Sequence, residues 1–214
     1  MSRLRCQISM SLDGFVAGPG QSEEHPLGVG GMRLHDWVFG LAAWRGPHGL
    51  EGGEVNASSA VVEAATSNIG ATIMGRNMFG ARGAWGDDPW DGWWGDDPPF
   101  HTDVFVLTHH PREPLVKDGG TTFHFVTDGI ESALEQARAA AGDRDVAVAG
   151  GAEAVRQYLN AGLLDELRLH VVPVLLGDGE RLFDGVDGAA LGLECVESVA
   201  APGVTHLTFR VERG

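Results

Sequence analysis

Two short apolar runs stop at glycine and pass straight into helix-compatible sequence, about 75 residues apart. The first is Ala71-Thr72-Ile73-Met74-Gly75-Arg76-Asn77-Met78-Phe79, and the second is Val146-Ala147-Val148-Ala149-Gly150-Gly151-Ala152-Glu153-Ala154-Val155. A strand that turns at glycine into a helix leaves backbone N–H groups without intrahelical acceptors, at the positive end of the helix dipole. Such a junction suits an anion, phosphate above all. Two in one domain are enough for a dinucleotide pyrophosphate, and Arg76 adds a charged planar fork for a further phosphate. Taken alone, each glycine also fits a plain strand end.

A second unusual segment is 81–100, which holds Trp85, Trp90, Trp93 and Trp94 together with five aspartates. About 20 residues without periodicity are uncommon inside a compact domain. They read as a lid or site wall, as a tryptophan-rich subunit contact, or as an Ω-loop packed by its own rings. The Asp- and His-rich stretch 87–110 also raises divalent-cation binding, but its spacing matches no ligand motif.

The elements that must position these residues follow from periodicity. Leu4, Cys6, Ile8 and Met10 alternate with Arg5, Gln7, Ser9 and Ser11, which predicts a strand. A turn-rich loop follows, with Asp13 before Gly14. Residues 33–44 carry Leu34, Trp37, Val38 and Leu41 at helical spacing. Ser58 or Ser59 caps a second helix through about Asn68. Short runs at 71–74, 103–107, 122–126 and 145–149 predict strands. Asp128 three residues before Glu131 resembles a capping box opening a helix to Ala141, with Ile130, Leu134, Ala137 and Ala141 buried. A helix at 152–162 buries Val155 and Leu159. A long strand at 166–176 and an antiparallel hairpin, 191–199 with 204–211, complete the chain. Strands alternating with helices imply a mostly parallel sheet covered on both faces, with ligands at the carboxyl ends of the strands.

Composition bounds the function. The chain has 214 residues, enough for one domain spanning 1–214 with a proper core, and a formal net charge of −15. That charge argues against nucleic acid as a partner. No run of about 18 apolar residues predicts a membrane span. Only Cys6 and Cys195 are present, and no secretory signal precedes the first strand, which together suggest the cytoplasm.

Four motifs occur here in an order that resembles the dihydrofolate-reductase-like superfamily. They are Gln7-Ile8-Ser9-Met10-Ser11-Leu12-Asp13-Gly14-Phe15-Val16-Ala17, Ile73-Met74-Gly75-Arg76, Val104-Phe105-Val106-Leu107-Thr108-His109-His110 and Val148-Ala149-Gly150-Gly151. With Val172-Pro173-Val174-Leu175-Leu176-Gly177-Asp178-Gly179-Glu180-Arg181-Leu182-Phe183, the likeness is closer to the reductase domain of bacterial riboflavin-biosynthesis deaminase-reductases. The resemblance implies a three-layer α/β fold with a mostly parallel sheet of about eight strands and a C-terminal antiparallel hairpin. It also implies a homodimer that binds NADPH and transfers hydride to a small heterocycle.

Carried over by residue, Ser9 and the Val16-Ala17 backbone lie beside the nicotinamide. Gly75, Arg76, Asn77 and Met78 hold phosphate, with Arg76 on the adenosine side. Thr108 and His109 flank the adenosine and its 2′-phosphate, which favours NADPH over NADH. Gly150, Gly151, Ala152, Glu153, Ala154 and Val155 cradle the pyrophosphate. Asp36, next to Trp37, resembles the buried acid of folate reductases. With Ser9 it is the candidate catalytic pair, while Asp13, Trp37, Trp85, Trp90, Trp93 and Trp94 shape the substrate side and lid. Each has a plainer reading: His109 as a turn residue, Asp13 as a turn carboxylate, Asp36 as a solvated helix carboxylate.

Three departures narrow the substrate. Residues 84–111 contain no lysine or arginine and six aspartates, which repel a glutamate tail and disfavour a phosphorylated ribityl group. Position 78 is methionine where folate reductases offer threonine. The zinc-deaminase signature is absent. The expectation is therefore a reductase of a neutral or cationic pteridine- or pyrimidine-like ring. The alternative is a non-catalytic nucleotide-binding or dimeric interaction protein on the same fold.

Overall fold

The computed structural model describes residues 2–22, 24–80, 85–86 and 90–213. Its strands are β1 (Leu4–Ser11), β2 (Phe15–Ala17), β3 (Ile69–Gly75), β4 (Asp103–Leu107), β5 (Leu115–Val116), β6 (Thr122–Val126), β7 (Asp145–Gly150), β8 (Glu166–Val172), β9 (Glu180–Arg181), β10 (Leu191–Ala201) and β11 (Val204–Arg213). The helices are α1 (Asp36–Phe39), α2 (Ala42–Arg45), α3 (Ala57–Thr66), α4 (Arg76–Phe79), α5 (Ile130–Ala141) and α6 (Ala152–Asn160). Nine strands form one sheet in the order β10-β11-β8-β1-β7-β3-β4-β6-β5, and β2 pairs with β9 apart from it. From β8 to β6 every pairing is parallel. The β10–β11 hairpin joins β8 antiparallel, and β5 closes the other edge antiparallel.

The alternation in β1 is what divides the sheet into two faces. Leu4 and Cys6, with Leu167 and Leu169 of β8 and Val211 of β11, enter one core with Leu134, Ala137 and Ala141 of α5 and Val155, Tyr158 and Leu159 of α6. The fully buried Tyr158 donates its hydroxyl to Ile130 O at 2.8 Å, tying α6 to the first turn of α5. Arg5, Gln7, Ser9 and Ser11 face the other way. There α3 lies across the sheet: Ser67 O, just past its end, accepts from Arg5 Nη2, and Ser58 meets His206. A smaller core forms on β3, β4 and β6, where Met74, Phe79, Val104, Val106 and Phe123 gather Trp85, Trp90, Trp94 and Phe100.

Four local expectations are corrected. The helix expected over 33–44 is a 3-10 turn at Gly31–His35 followed by α1 and α2, because Leu41 turns extended (φ −79, ψ 137) and bridges Glu54. The cap of α3 is Asn56, whose Oδ1 accepts from Ser58 N at 2.8 Å, while Ser59 Oγ accepts from Asn56 N at 3.1 Å. Asp128 does not cap α5. Gly129, at φ 91, is the N-cap residue and delays entry into the helix by one position. The long strand expected to reach 176 ends at Val172.

Candidate cofactor and active site

Because β3 and β7 are neighbours, the two glycine junctions meet. A Cβ built on Gly75 would lie 3.6 Å from both Gly151 N and Ala154 Cβ, and 3.7 Å from Gly150 O. A Cβ on Gly150, at φ +126, would lie 3.5 Å from Met78 Sδ and 3.9 Å from Ile8 Cδ1. The Gly150–Gly151 peptide is cis. Gly151 is the N-cap of α6 and has no side chain to answer the amides of the first turn. Val155 N is already bonded to Gly151 O at 3.2 Å, and its side chain is core, so the open amides are those of residues 152–154. Glu153 turns its carboxylate onto Arg156 Nη2 at 2.7 Å, clear of that opening. Asn77 is exposed and Met78 half-buried beside Gly150.

Arg76 opens α4 at the end of β3. Its Nη1 donates to Gly80 O, and its guanidinium carbon stands 3.5 Å from the centroid of Trp85. Among the described residues, Nε and Nη2 are buried without a hydrogen-bond partner. Burial, and then the neighbouring charge of Arg112, lower its pKa to about 10. Arg112 stacks on Trp85 from 4.8 Å and donates to Trp90 O and to Asp91 Oδ1 at 2.7 and 2.8 Å. Two cations on one indole, with two orphaned donors, form a site short of an anion.

Other predicted residues are placed as follows. Thr108 is buried and its hydroxyl is engaged by His110 N at 3.1 Å, so it closes a turn, while His109 beside it is exposed. Trp85 donates to His110 O at 3.0 Å. Trp94 stacks on Phe123, and Trp90 meets Trp93 edge-on. These rings therefore pack against the end of β4 and β6. Residues 81–84 and 87–89 of that segment lie outside the described residues. Val16 and Ala17 are buried in β2. Asp13 accepts from Ser11 Oγ (2.5 Å), Leu176 N (3.2 Å) and Gly177 N (2.8 Å), which hold its carboxylate down at about 2. It buckles the loop after β1 to the chain after β8.

On the other side of β1, Ser9 is 4% exposed and accepts from Trp37 Nε1 at 3.3 Å. Asp36 is exposed, one position away from the inward-turned Trp37. It is not the buried acid that the resemblance implies, because α1 is a single turn that directs only one of the two side chains to the sheet. The groups that do lie beneath Trp37 are His170 and His206, which sequence reading passed over. Their only signal was polar alternation in strands whose pairing partners were unknown. Arg112 was likewise hidden, just beyond the cation-free stretch. An open cleft of about 840 Å³ lies at the opposite, amino-terminal edge of β1 and β8, lined by Arg3, Arg138, Asp165, Glu166 and Arg210. It is remote from both glycine junctions.

The RibD C-terminal domain profile matches residues 3–207. The chain belongs to the RibD C-terminal domain family. Among relatives of this RibD-type domain, the uncharacterized protein YyaP of Bacillus subtilis (strain 168) is 37% identical over 91 residues, covering 41% of this chain and 48% of YyaP. The match thus spans about half of that relative. A solved Shewanella sp. PV-4 structure, provisionally named for riboflavin biosynthesis, superposes with a TM-score of 0.63 at 21% identity over 99% of both chains. Dihydrofolate reductase from Enterococcus faecalis, complexed with NADP(H), gives a TM-score of 0.51 at 12% identity over 98% of this chain and 96% of that one. The fold is that of the dihydrofolate-reductase-like proteins.

Proposed function

We propose that this RibD-type domain is an NADPH-dependent reductase acting on a small neutral or cationic heterocycle, pyrimidine- or pteridine-like. The observation that carries the reading is Arg76, whose Nε and Nη2 are buried and, among the described residues, unpartnered beside the converging glycine junctions. A dinucleotide fits this donor set. The amides of residues 152–154 suit the pyrophosphate, and Arg76 with His109 suits the 2′-phosphate. When bound, NADPH supplies the hydride. The chain's own residues bind and orient. The phosphate donors fix the dinucleotide along the ends of β3 and β7, and Ile8, under Gly150, marks where β1 begins the reactive side. There Ser9 offers a hydroxyl hydrogen, since its oxygen already accepts from Trp37. Trp37 and the buried β2 strand keep water off that end of β1.

The exposure of Asp36 favours a second reading, a nucleotide-binding protein on the same fold that lacks a proton donor. Titrating the tryptophan emission with NADPH and, separately, NADH tests the first step, because Trp85 lies directly under Arg76. Strong quenching by NADPH and weak quenching by NADH is the expected result. No response to either removes the reductase reading.

A further inference from the structure

A second polar assembly lies across the sheet from the glycine junctions. Ser9 of β1, His170 of β8 and His206 of β11 are register partners in adjacent strands, so their side chains stand in one row on the face covered by α3. They are 4%, 6% and 3% exposed. His170 Nδ1 and His206 Nδ1 lie 2.8 Å apart, and His206 Nε2 lies 2.8 Å from Ser58 Oγ at the start of α3. Trp37 packs on both imidazoles, with ring centroids 5.1 and 4.9 Å away, and reaches Ser9 with its Nε1. His170 Nε2 has no hydrogen-bond partner among the described residues.

A 2.8 Å contact between two imidazole nitrogens holds one proton: with none it lacks a donor, and with two the N–H groups collide. In the neutral pair this permits two arrangements. Either His206 carries Nδ1–H, accepts from the Ser58 hydroxyl, and leaves His170 protonated at Nε2; or His170 carries Nδ1–H and His206 Nε2–H donates to Ser58. In both, the rings have opposite tautomers. The titratable groups facing the pair are Arg168 on β8 and His35 from the 3-10 turn, the latter itself beside Asp36. Burial and the Arg168 charge disfavour charging the pair.

We propose that His170 and His206, anchored by Ser58, are positioning residues for the reactive side of the site. As a neutral pair sharing one proton, they seat Trp37 on Ser9, and the Trp37 N–H commits the Ser9 oxygen to accepting. The Ser9 hydroxyl hydrogen is thereby left to donate to a carbonyl acceptor, the class to which the nicotinamide carboxamide and lactam-bearing rings belong. The inference rests on the reductase reading for its ligand, but not for its geometry.

Long-range ¹H–¹⁵N NMR of histidine-labelled wild-type protein reads the pair directly. The expected result is one Nδ1–H and one Nε2–H tautomer, both neutral at pH 8. Two rings with the same tautomer overturn the proposal. Trp37 emission, taken as the difference from Trp37→Phe, gives the second measurement. His206→Phe is expected to raise its quenching by acrylamide roughly twofold or more, with Ser58→Ala intermediate. Unchanged quenching in both overturns the proposal, and Ser58→Ala decides if His206→Phe does not fold. For NADPH binding, Ser9→Ala and His206→Phe are expected to lose affinity by similar factors, and the double variant no more than either. Additive losses overturn the link to Ser9. Failure of wild-type protein to bind NADPH removes the reductase reading alone, since the NMR and quenching results stand without it.

Discussion

At the scale of single residues, charge placement separates ligand groups from structural ones. Arg76 is a cation held by one carbonyl and an indole, with Nε and Nη2 buried and, among the described residues, unpartnered. Arg76→Gln is therefore expected to weaken NADPH binding by roughly 10–100-fold, the cost of one or two charge-assisted hydrogen bonds, and to leave NADH binding within about twofold. Fluorescence titration of both cofactors checks this. Asp13 is the contrasting case, a carboxylate whose three donors are all internal. Its folded pKa lies below the ordinary carboxylate value, so its contribution to stability is complete above about pH 4 and is lost as pH falls through about 2. Asp13→Asn is expected to lower Tm at pH 7, with the difference from wild type shrinking toward pH 2. Thermal melts across that range measure it.

Elements decide where such residues can act. The cradle exists because two strands end side by side on glycines that allow different things. Gly75 has an ordinary φ of −77, and its added Cβ would meet nothing nearer than 3.6 Å. Gly150 has φ +126, which L side chains rarely adopt. Gly75→Ala is expected to fold with little loss, whereas Gly150→Ala loses roughly 1–3 kcal/mol. Urea denaturation of the pair distinguishes them. On the other face, α3 is set by the Asn56–Ser59 capping box, and its first turn carries Ser58 to His206. Asn56→Ala is expected to cost about 1 kcal/mol. It should also loosen the histidine pair, visible as a changed His206 signal in the same NMR spectra.

For the whole molecule, buried imidazoles are expected to lower stability as the pH falls. Burial lowers the pKa of His35 and His206, and burial reinforced by the neighbouring imidazoles and the Arg168 charge brings His170 to about 3. The unfolded chain binds protons near the ordinary histidine value of about 6.5 and the folded chain does not, so stability is full above that value and declines as pH falls toward 3. The urea midpoint is expected to drop steadily from pH 7 to pH 4, and less steeply in a His170→Gln variant that folds. At the sheet edge, β10 exposes Leu193 and Val196. This makes the hairpin the surface to examine for self-association by sedimentation, against which the net charge of −15 acts. Among the described residues, no helix is long and apolar enough to cross a membrane.

The sequence by itself determined the elements with strong local signals. The strands at 103–107 and 122–126 stand where their β-branched and aromatic runs put them, and the alternation in β1 already separated Ser9 from the core-facing Cys6. Both glycine junctions and Arg76 were legible, because a strand stop, a glycine and a helix start are local events. Boundaries set by backbone torsion were less so. Gly129 displaced Asp128 from its cap, and Leu41 broke the expected first helix. Only the tertiary structure decided what meets what. Strand order brought Gly75 to Gly151, a single-turn helix turned Trp37 in and left Asp36 out, and the return of β11 beside β8 set His206 against His170. These contacts join residues tens of positions apart through sheet register, a property of pairing that no periodicity within one strand encodes.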